Sequence, residues 1–437
     1  MSQWYIEPRD PLVVRDARPN EGRSQSAGLS FPLPGSLAGA ARTRLGSDPE
    51  RGFVLQGAEV DRLLAVELRG PLLCDGSGAL FFPPPHDAVV MRHEMTPGKP
   101  CKVEHCAVDG GAYDGERRRK VHFQVTRLQP LTEDDVEWNP MTSADDAGSH
   151  GSKLALVGLA DGERPTKPQG KPPSHWDWPT LRDWLLQGDP IRCGDALLKC
   201  AHTELLGEHR IHVALGESLT AREGMLFHTP GLRFASSPRL QCCLEGQAHL
   251  EAACVPDMQS TQSTETSKRL GLWLDVSVPA ALGHKLAPGL APMAGERRLV
   301  RWVPLQRDAL PPIPEPLLQA VQSSEPCQLR IVLLTPACFT AGAYPNSDAY
   351  LMQLPGAPRL VAARVDRATV VSGWDFKERS PKATRRLAPA GSVYWVELGG
   401  DVAARLEFLK QVWFRNISDD PQARRDGFGL AAVGVVP

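Results

Sequence analysis

Apolar and polar positions alternate over short runs along this chain, and few stretches carry the wider spacing of a helix. Gln3–Glu7, in QWYIEP, reads as a first strand closed by Pro8. A proline-marked loop follows from Asp10 to Arg23. FPLPGSLAGAARTRL, Phe31–Leu45, then switches to helical spacing. Leu37, Ala38, Ala41 and Leu45 fall on one face of a helix over Leu37–Leu45, with Ser36 as N-cap and Gly46 just past its end. The small residues Ala38–Ala41 predict close packing on a sheet. Strands are predicted at Leu63–Leu73, Ala79–Phe82, Arg210–Leu215, Gly224–Phe234, Leu270–Val278 and Arg298–Pro304. Trp178–Leu186 places Leu181, Trp184 and Leu185 at helical spacing, and Ala280–Leu286 reads as a short helix.

A proline cluster, Leu310–Pro316, breaks the chain and marks a domain boundary. Beyond it the predicted order is clear. A strand at Leu329–Thr335 precedes a short helix at Asp348–Leu354 and one or two strands over Arg359–Trp374. A strand at Ser392–Leu398 is followed by a helix at Val402–Val412, packed through Leu406 and Leu409, and a closing strand at Phe428–Val436. This β-α-β-β-α-β order is the ferredoxin-like pattern shared with RNA-recognition folds. Residues 1–308 read as a larger copy with long insertions at about 88–205 and 235–270. The expected class is α+β, with two ferredoxin-like (RRM-like) domains over 1–308 and 309–437. Residues 132–150 carry six acids and no Lys or Arg, a solvated loop. Proline-rich 161–175 reads as linker and Ser/Thr/Gln-rich 258–268 as loop.

Composition narrows the class. Of 437 residues, 42% are apolar, which excludes wholesale disorder. The 39 glycines and 40 prolines argue for turns and loops, against a helical bundle or coiled coil. Lys plus Arg number 49 against 51 Asp plus Glu, so a nonspecific nucleic-acid coating protein is excluded and any such binding must use local patches. No run approaches the roughly 20 apolar residues that span a bilayer. Met1–Asp10 lacks a basic segment followed by an apolar one, which predicts a soluble, cytoplasmic protein. Ten dispersed cysteines with no CxxC pair fit free thiols. Cys101, His105 and Cys106, with His93 near, form a loose zinc-like set. No metal or other cofactor is expected.

Candidate chemistry is concentrated in the basic segments. Among the motifs sought, GxSxG, HExxH, a phosphate-binding GxxxxGK[ST] loop and GxGxxG before a helix are missing. His209 and His212 fall on opposite faces of a strand and form no pair. From Arg364 to Arg386, seven cations (Arg364, Arg367, Lys377, Arg379, Lys382, Arg385, Arg386) meet three acids, with Trp374 and Phe376 between them. Cations interleaved with aromatics suit a single RNA strand, which needs phosphate contacts and stacking surfaces. A solvated hairpin with Trp374 anchored in the core is the structural alternative. Gly427-Phe428-Gly429-Leu430, after Arg424-Arg425, offers glycine amides to an anion or forms an ordinary turn. Arg15-Asp16-Ala17-Arg18-Pro19 suits phosphate or carboxylate recognition, or holds Arg15–Asp16 as a local charge pair.

Together these motifs resemble the CRISPR-associated RAMP family, in its Cas-five group, as in subunit three of type III-B Cmr complexes. The resemblance rests on IEPRDPLVVRDARPNE with FPLPGSLAGAARTRL, then RGPLLCDGSGALFFPPPHD and HRIHVALGESLTAREGMLFHTPGLRF. It continues through MAGERRLVRW, VSGWDFKERSPKATRRLAPAGSVYWVE and GFGLAAVG, in order from end to end. It implies two fused ferredoxin-like domains with a glycine-rich C-terminal segment. It implies a non-catalytic subunit holding the 5′ handle of the guide RNA (crRNA), against a large polymerase-type subunit and a backbone RAMP subunit. Arg15, Arg18, Ser36, Trp374, Lys377, Arg379, Lys382, Arg385, Arg386, Gly427 and Gly429 are then the expected RNA contacts. The alternatives are a metal-independent endoribonuclease using His86, His93 or His228, and a metal module built on Cys101, His105 and Cys106.

Overall fold

The computed structural model describes residues 2–15, 28–48, 52–55, 57–94, 112–113, 120–131, 154–158, 174–186, 192–193, 201–202, 205–216, 218, 220–234, 269–306, 308–375 and 380–436. The expectations for 132–150, 258–268 and most of 161–175 lie outside these residues.

The first part of the chain runs through β1 (Ser2–Pro8), α1 (Pro34–Leu45), α2 (Ala58–Leu63), β2 (Glu67–Asp75), β3 (Leu80–Phe82), β4 (His175–Asp177) and α3 (Trp178–Leu186). It continues through β5 (Ala201–His202), β6 (Leu206–Leu215), β7 (Ala221–Arg233), β8 (Leu270–Ser277), β9 (Gly289–Met293) and β10 (Arg298–Pro304). Eight of these strands form an antiparallel sheet in the order β5-β4-β3-β2-β8-β1-β10-β9, while β6 and β7 pair with each other as a separate ribbon.

The second part contains α4 (Glu315–Ser323), β11 (Cys327–Leu333), β12 (Pro358–Arg364), β13 (Val393–Leu398), α5 (Val402–Val412), β14 (Arg415–Asn416), α6 (Pro421–Asp426) and β15 (Leu430–Val435). Its antiparallel sheet has the order β12-β13-β11-β15-β14. Both sheets share a relationship: β2-β8-β1-β10 and β12-β13-β11-β15 each place the first strand of four between the third and the fourth. The fold is mixed α and β.

Strand alternation decides which core each residue joins. Trp4, Ile6, Leu272 and Leu274 pack with Leu37 and Ala41 of α1. Their neighbours Tyr5 and Trp273 point the other way, into a second core shared with Leu329, Ile331 and Trp395 of the second sheet. The two sheets therefore bury apolar area against each other, the main favourable contribution to their packing. A buried ion pair crosses this core: Arg330 Nη1 donates to Asp87 Oδ2 at 2.5 Å, both side chains 0% exposed. Arg330 also donates to Val435 O at 2.9 Å and Trp184 O at 2.8 Å, and Trp184 Nε1 donates to Asp87 Oδ1 at 3.0 Å.

Several sequence expectations need correction. α1 begins at Pro34, with Leu33 at the N-cap and no side-chain capping bond. Proline's fixed φ suits the first helical turn, so Ser36 lies inside the helix and is not its cap. Gly46 has φ −89° and is not left-handed; instead a Cβ there would stand 2.5 Å from the Phe53 ring. The strand expected at Leu63 starts at Glu67, because Ala58–Leu63 forms α2 with Glu59 and Asp61 in its first turn. The proline cluster conceals the start of α4, whose first turn accepts Pro316. Ala280–Leu286 shrinks to a 3₁₀ turn, Ala280–Leu282, stopped by Gly283 at φ +65°. Asp348–Leu354 likewise holds only the 3₁₀ turn Tyr350–Gln353. The closing strand starts at Leu430, because α6 and a glycine turn occupy the preceding residues. In α5, Leu409 is buried and Leu406 is half-buried against the same core, beside Phe408 and Val412.

Candidate nucleic-acid interface

The basic segment forms a hairpin between β12 and β13. Thr369–Val371 pairs with Arg385–Leu387, and Trp374–Asp375 pairs with Ser380–Pro381. Between these ladders Lys382 N donates to Gly373 O at 2.8 Å, and Ser372 Oγ donates to Lys382 O at 2.6 Å. Arg367, Lys382, Arg385 and Arg386 are exposed. Adjacent strand residues point to opposite faces, so Arg385 and Arg386 serve different sides. Arg385 Nη1 donates to Asp420 Oδ2 at 3.1 Å, which ties the hairpin to α6. Among the described residues Lys382 and Arg386 have no ion-pair partner. At the hairpin's base Arg364 pairs with Asp366 at 3.2 Å, and Asp366 Oδ2 lies 3.8 Å from His86 Nε2. Lys377 and Arg379 lie outside the described residues; Trp374 is placed through its pairing with Pro381.

Arg15 sits in a short extended segment fixed on two sides. Leu12 exchanges backbone hydrogen bonds with Leu232 at the end of β7, and Gly295 N donates to Val13 O at 2.8 Å. Arg15 Nη2 reaches Glu296 Oε1 at 3.6 Å, and Arg298 Nη2 donates to Glu296 Oε2 at 2.5 Å. His212 Nε2 is 3.9 Å from the same carboxylate. Burial raises the Glu296 pKa, but the Thr229 hydroxyl and the cationic neighbours Arg298 and His212 together more than offset this and hold it below the usual carboxylate range. Arg15 is therefore paired with Glu296 within the fold; Asp16, its partner in the charge-pair reading, lies outside the described residues. Arg18 lies outside the described residues.

The glycine-rich segment is a joint between distant parts of the chain. Gly427 ends α6 at φ +100° and Gly429 has φ +83°. Gly427 N donates to Arg424 O at 3.1 Å, and Gly429 N donates to Pro336 O at 2.8 Å. The expectation that these amides face an anion is corrected accordingly: both are engaged within the fold. Phe428 between them meets α1, where a Cβ on Gly35 would lie 3.5 Å from its ring. Arg42 of α1 pairs with Asp426 of α6 at 2.7 Å. The two motifs from opposite ends of the sequence, FPLPGS and GFGL, thus meet. Ser36 is half-buried near this joint.

The hairpin and Arg15 do not share a contact within the described residues. Sequence reasoning missed Asp420 and Glu296, the acids that fix Arg385 and Arg15; no spacing in the sequence pairs them. Of the histidines, His228 is exposed, and the His93 side chain lies outside the description with Cys101, His105 and Cys106. Among the described residues no group of three His, Cys, Asp or Glu could hold a metal.

The Cas_Cmr3 model, that of a CRISPR-associated protein family, matches residues 4–436. The chain belongs to the Cas_Cmr3 family of CRISPR-associated proteins. Both the hairpin and the glycine joint lie inside the family's span. No curated protein matches this Cas_Cmr3 chain. Similar solved structures include a type III-B Cmr-beta bound to cognate target RNA, and a type III-B Cmr-beta bound to cognate target RNA and AMPPnP in state 1. Each shows 12% identity and a TM-score of 0.43, covering 90% of this chain and 86% of its own. Among the described residues no helix is long and apolar enough to cross a membrane.

Proposed function

We propose that this Cas_Cmr3 chain is a non-catalytic subunit of a cytoplasmic type III-B CRISPR effector ribonucleoprotein and holds the 5′ handle of its crRNA. The observation that carries the reading is the exposed basic hairpin. Lys382 and Arg386 are exposed with no ion-pair partner among the described residues, which suits phosphate contacts, and Arg385 fastens the hairpin to the body through Asp420. Phosphate contacts fix the register of a strand, and Trp374 supplies a stacking surface for a base. Arg15 and Arg18, with Lys377 and Arg379, extend the contacts. Ser36, Gly427 and Gly429 act by shaping the joint beside them.

The two sheets with the same strand relationship support two ferredoxin-like halves, over 1–308 and 309–437. A net charge of −2 suits a subunit that meets RNA on one face and proteins elsewhere. Those proteins are a large polymerase-type subunit and a backbone RAMP subunit. Purification of the tagged chain from its host tests the reading: short RNAs sharing one 5′ handle should come with it, alongside RAMP partners. Protein free of RNA would contradict it.

The second reading, a metal-independent endoribonuclease, draws on His86. Its imidazole lies 3.8 Å from Asp366 at the base of the hairpin, where an acid can orient a general base toward a ribose 2′-OH. Loss of precursor-RNA cleavage in His86→Ala would favour it; no cleavage by the wild-type chain removes it.

A further inference from the structure

We propose that the cleft between the two sheets continues the RNA path beyond the hairpin and takes a nucleotide of the same single strand. This rests on the guide-RNA reading above. Two adjoining cavities of about 580 and 320 Å³ lie there, each within the size range of small-ligand pockets, about 300–1,000 Å³. The first sheet contributes Arg69 and Asp275; α5, β14 and α6 contribute Lys410, Arg415 and Arg425.

Three of the charged groups in the cleft are held by neighbours, and Glu407 is engaged by a neutral amide. Arg69 pairs with Asp275. Arg424 donates to Asp419 O at 2.7 Å and lies 3.9 Å from the centre of the Tyr350 ring. Glu407 accepts from Gln411 at 2.8 Å. Arg425 is exposed and touches only Gln422, at 3.5 Å, among the described residues. Lys410 and Arg415 are exposed and, among the described residues, have no ion-pair or hydrogen-bond partner. Both line the two cavities together, so they stand on the wall between them. Exposed Glu67, on the opposite wall, and exposed Glu407 are the acids left against these three cations and Arg424.

The neighbouring surfaces select the ligand. The smaller cavity adds Leu310, Pro311, Ile313 and Trp413, an apolar lining beside the two cations, and one acid, Asp308, which accepts from Gln3 and from Leu310 N. Cations next to an apolar, aromatic wall match a phosphate followed by a base. The path is also continuous. Arg385 of the hairpin bonds Asp420, Asp420 accepts from Gln422 N at 3.0 Å to cap α6, and α6 carries Arg425 to the cleft. In the proposed path, a strand held at the hairpin crosses α6 to Lys410 and Arg415.

Binding of the purified full-length chain to 5′-handle RNAs of increasing length, across a salt series, tests this. With long RNA, Lys410→Ala with Arg415→Ala should flatten the log–log salt slope by about 1.4, the value for two single-strand phosphate contacts. With RNA short enough to occupy only the hairpin, the same variant should match wild type. An unchanged slope with long RNA overturns the proposal. So does unchanged RNA binding accompanied by loss of a protein partner, which would assign the cleft to an acidic protein surface. Lys382→Ala with Arg386→Ala separates the two readings: it should weaken both RNAs. If only the cleft variant is silent, the cleft proposal fails and the hairpin reading stands.

Discussion

Gly427 stands against the carbonyl oxygen of Gly70: a Cβ on Gly427 would lie 2.5 Å from that oxygen. The same residue has φ +100° and accepts a hydrogen bond from Thr335 Oγ1 at 2.8 Å. It joins the C-terminal turn to β2 of the first sheet. Gly427→Ala should therefore destabilise the chain on two grounds. Left-handed strain alone costs about 1–3 kcal/mol, and the close backbone oxygen adds to it. Gly39 in α1 supplies the opposite sign, since it lies in a helix with nothing within 4 Å of a built Cβ. Gly39→Ala should stabilise by up to about 1 kcal/mol. Thermal unfolding of the two variants checks both signs.

The Asp87–Arg330 pair should be the most costly ion pair to break. Both side chains are fully buried, and Arg330 ties Val435 and Trp184 to β11. Removing one partner leaves an uncompensated buried charge, at about 3–5 kcal/mol. Asp87→Ala is expected in that range by urea unfolding. Asp420→Ala, which breaks only the exposed Arg385 pair and the α6 cap, should cost no more than about 3 kcal/mol.

The sequence reveals most where burial imposes a period. Trp178–Leu186, Val402–Val412 and Arg298–Pro304 are legible to the residue, because each has a regular apolar face and a clear boundary. α4 is not legible, because its opening prolines also signal a break. α6 is too short to display a period. The basic hairpin is legible as a run of cations. What fixes it is not: Asp420, like Glu296 beside Arg15, is distant in sequence from the residue it holds. The glycine amides show the same limit, since their acceptors include Pro336, reached only through the tertiary fold.

Glu296 gives a pH prediction with a definite sign. Its carboxyl is held below the usual range in the folded chain, burial being outweighed by Thr229, Arg298 and His212. A depressed folded value contributes stability that is fully present above the unfolded value, about 4.3. That contribution is lost as pH falls through the lower folded value. Between pH 5 and pH 3, amide protection factors in β7 and in the turn Ala294–Arg297, corrected for the intrinsic exchange rate at each pH, should fall more in wild type than in Glu296→Gln. An equal fall in both would show that this carboxylate does not hold the segment.

The central claim is that the hairpin holds the guide RNA. The most direct measurement is the salt dependence of 5′-handle RNA binding by the full-length chain and by its Lys382→Ala, Arg385→Ala, Arg386→Ala triple variant. Weaker binding is expected, with a log–log slope flattened by about 1.4 from the two lost single-strand phosphate contacts of Lys382 and Arg386, while loss of Arg385 releases the hairpin from Asp420. Wild-type affinity and slope in the triple variant would contradict it.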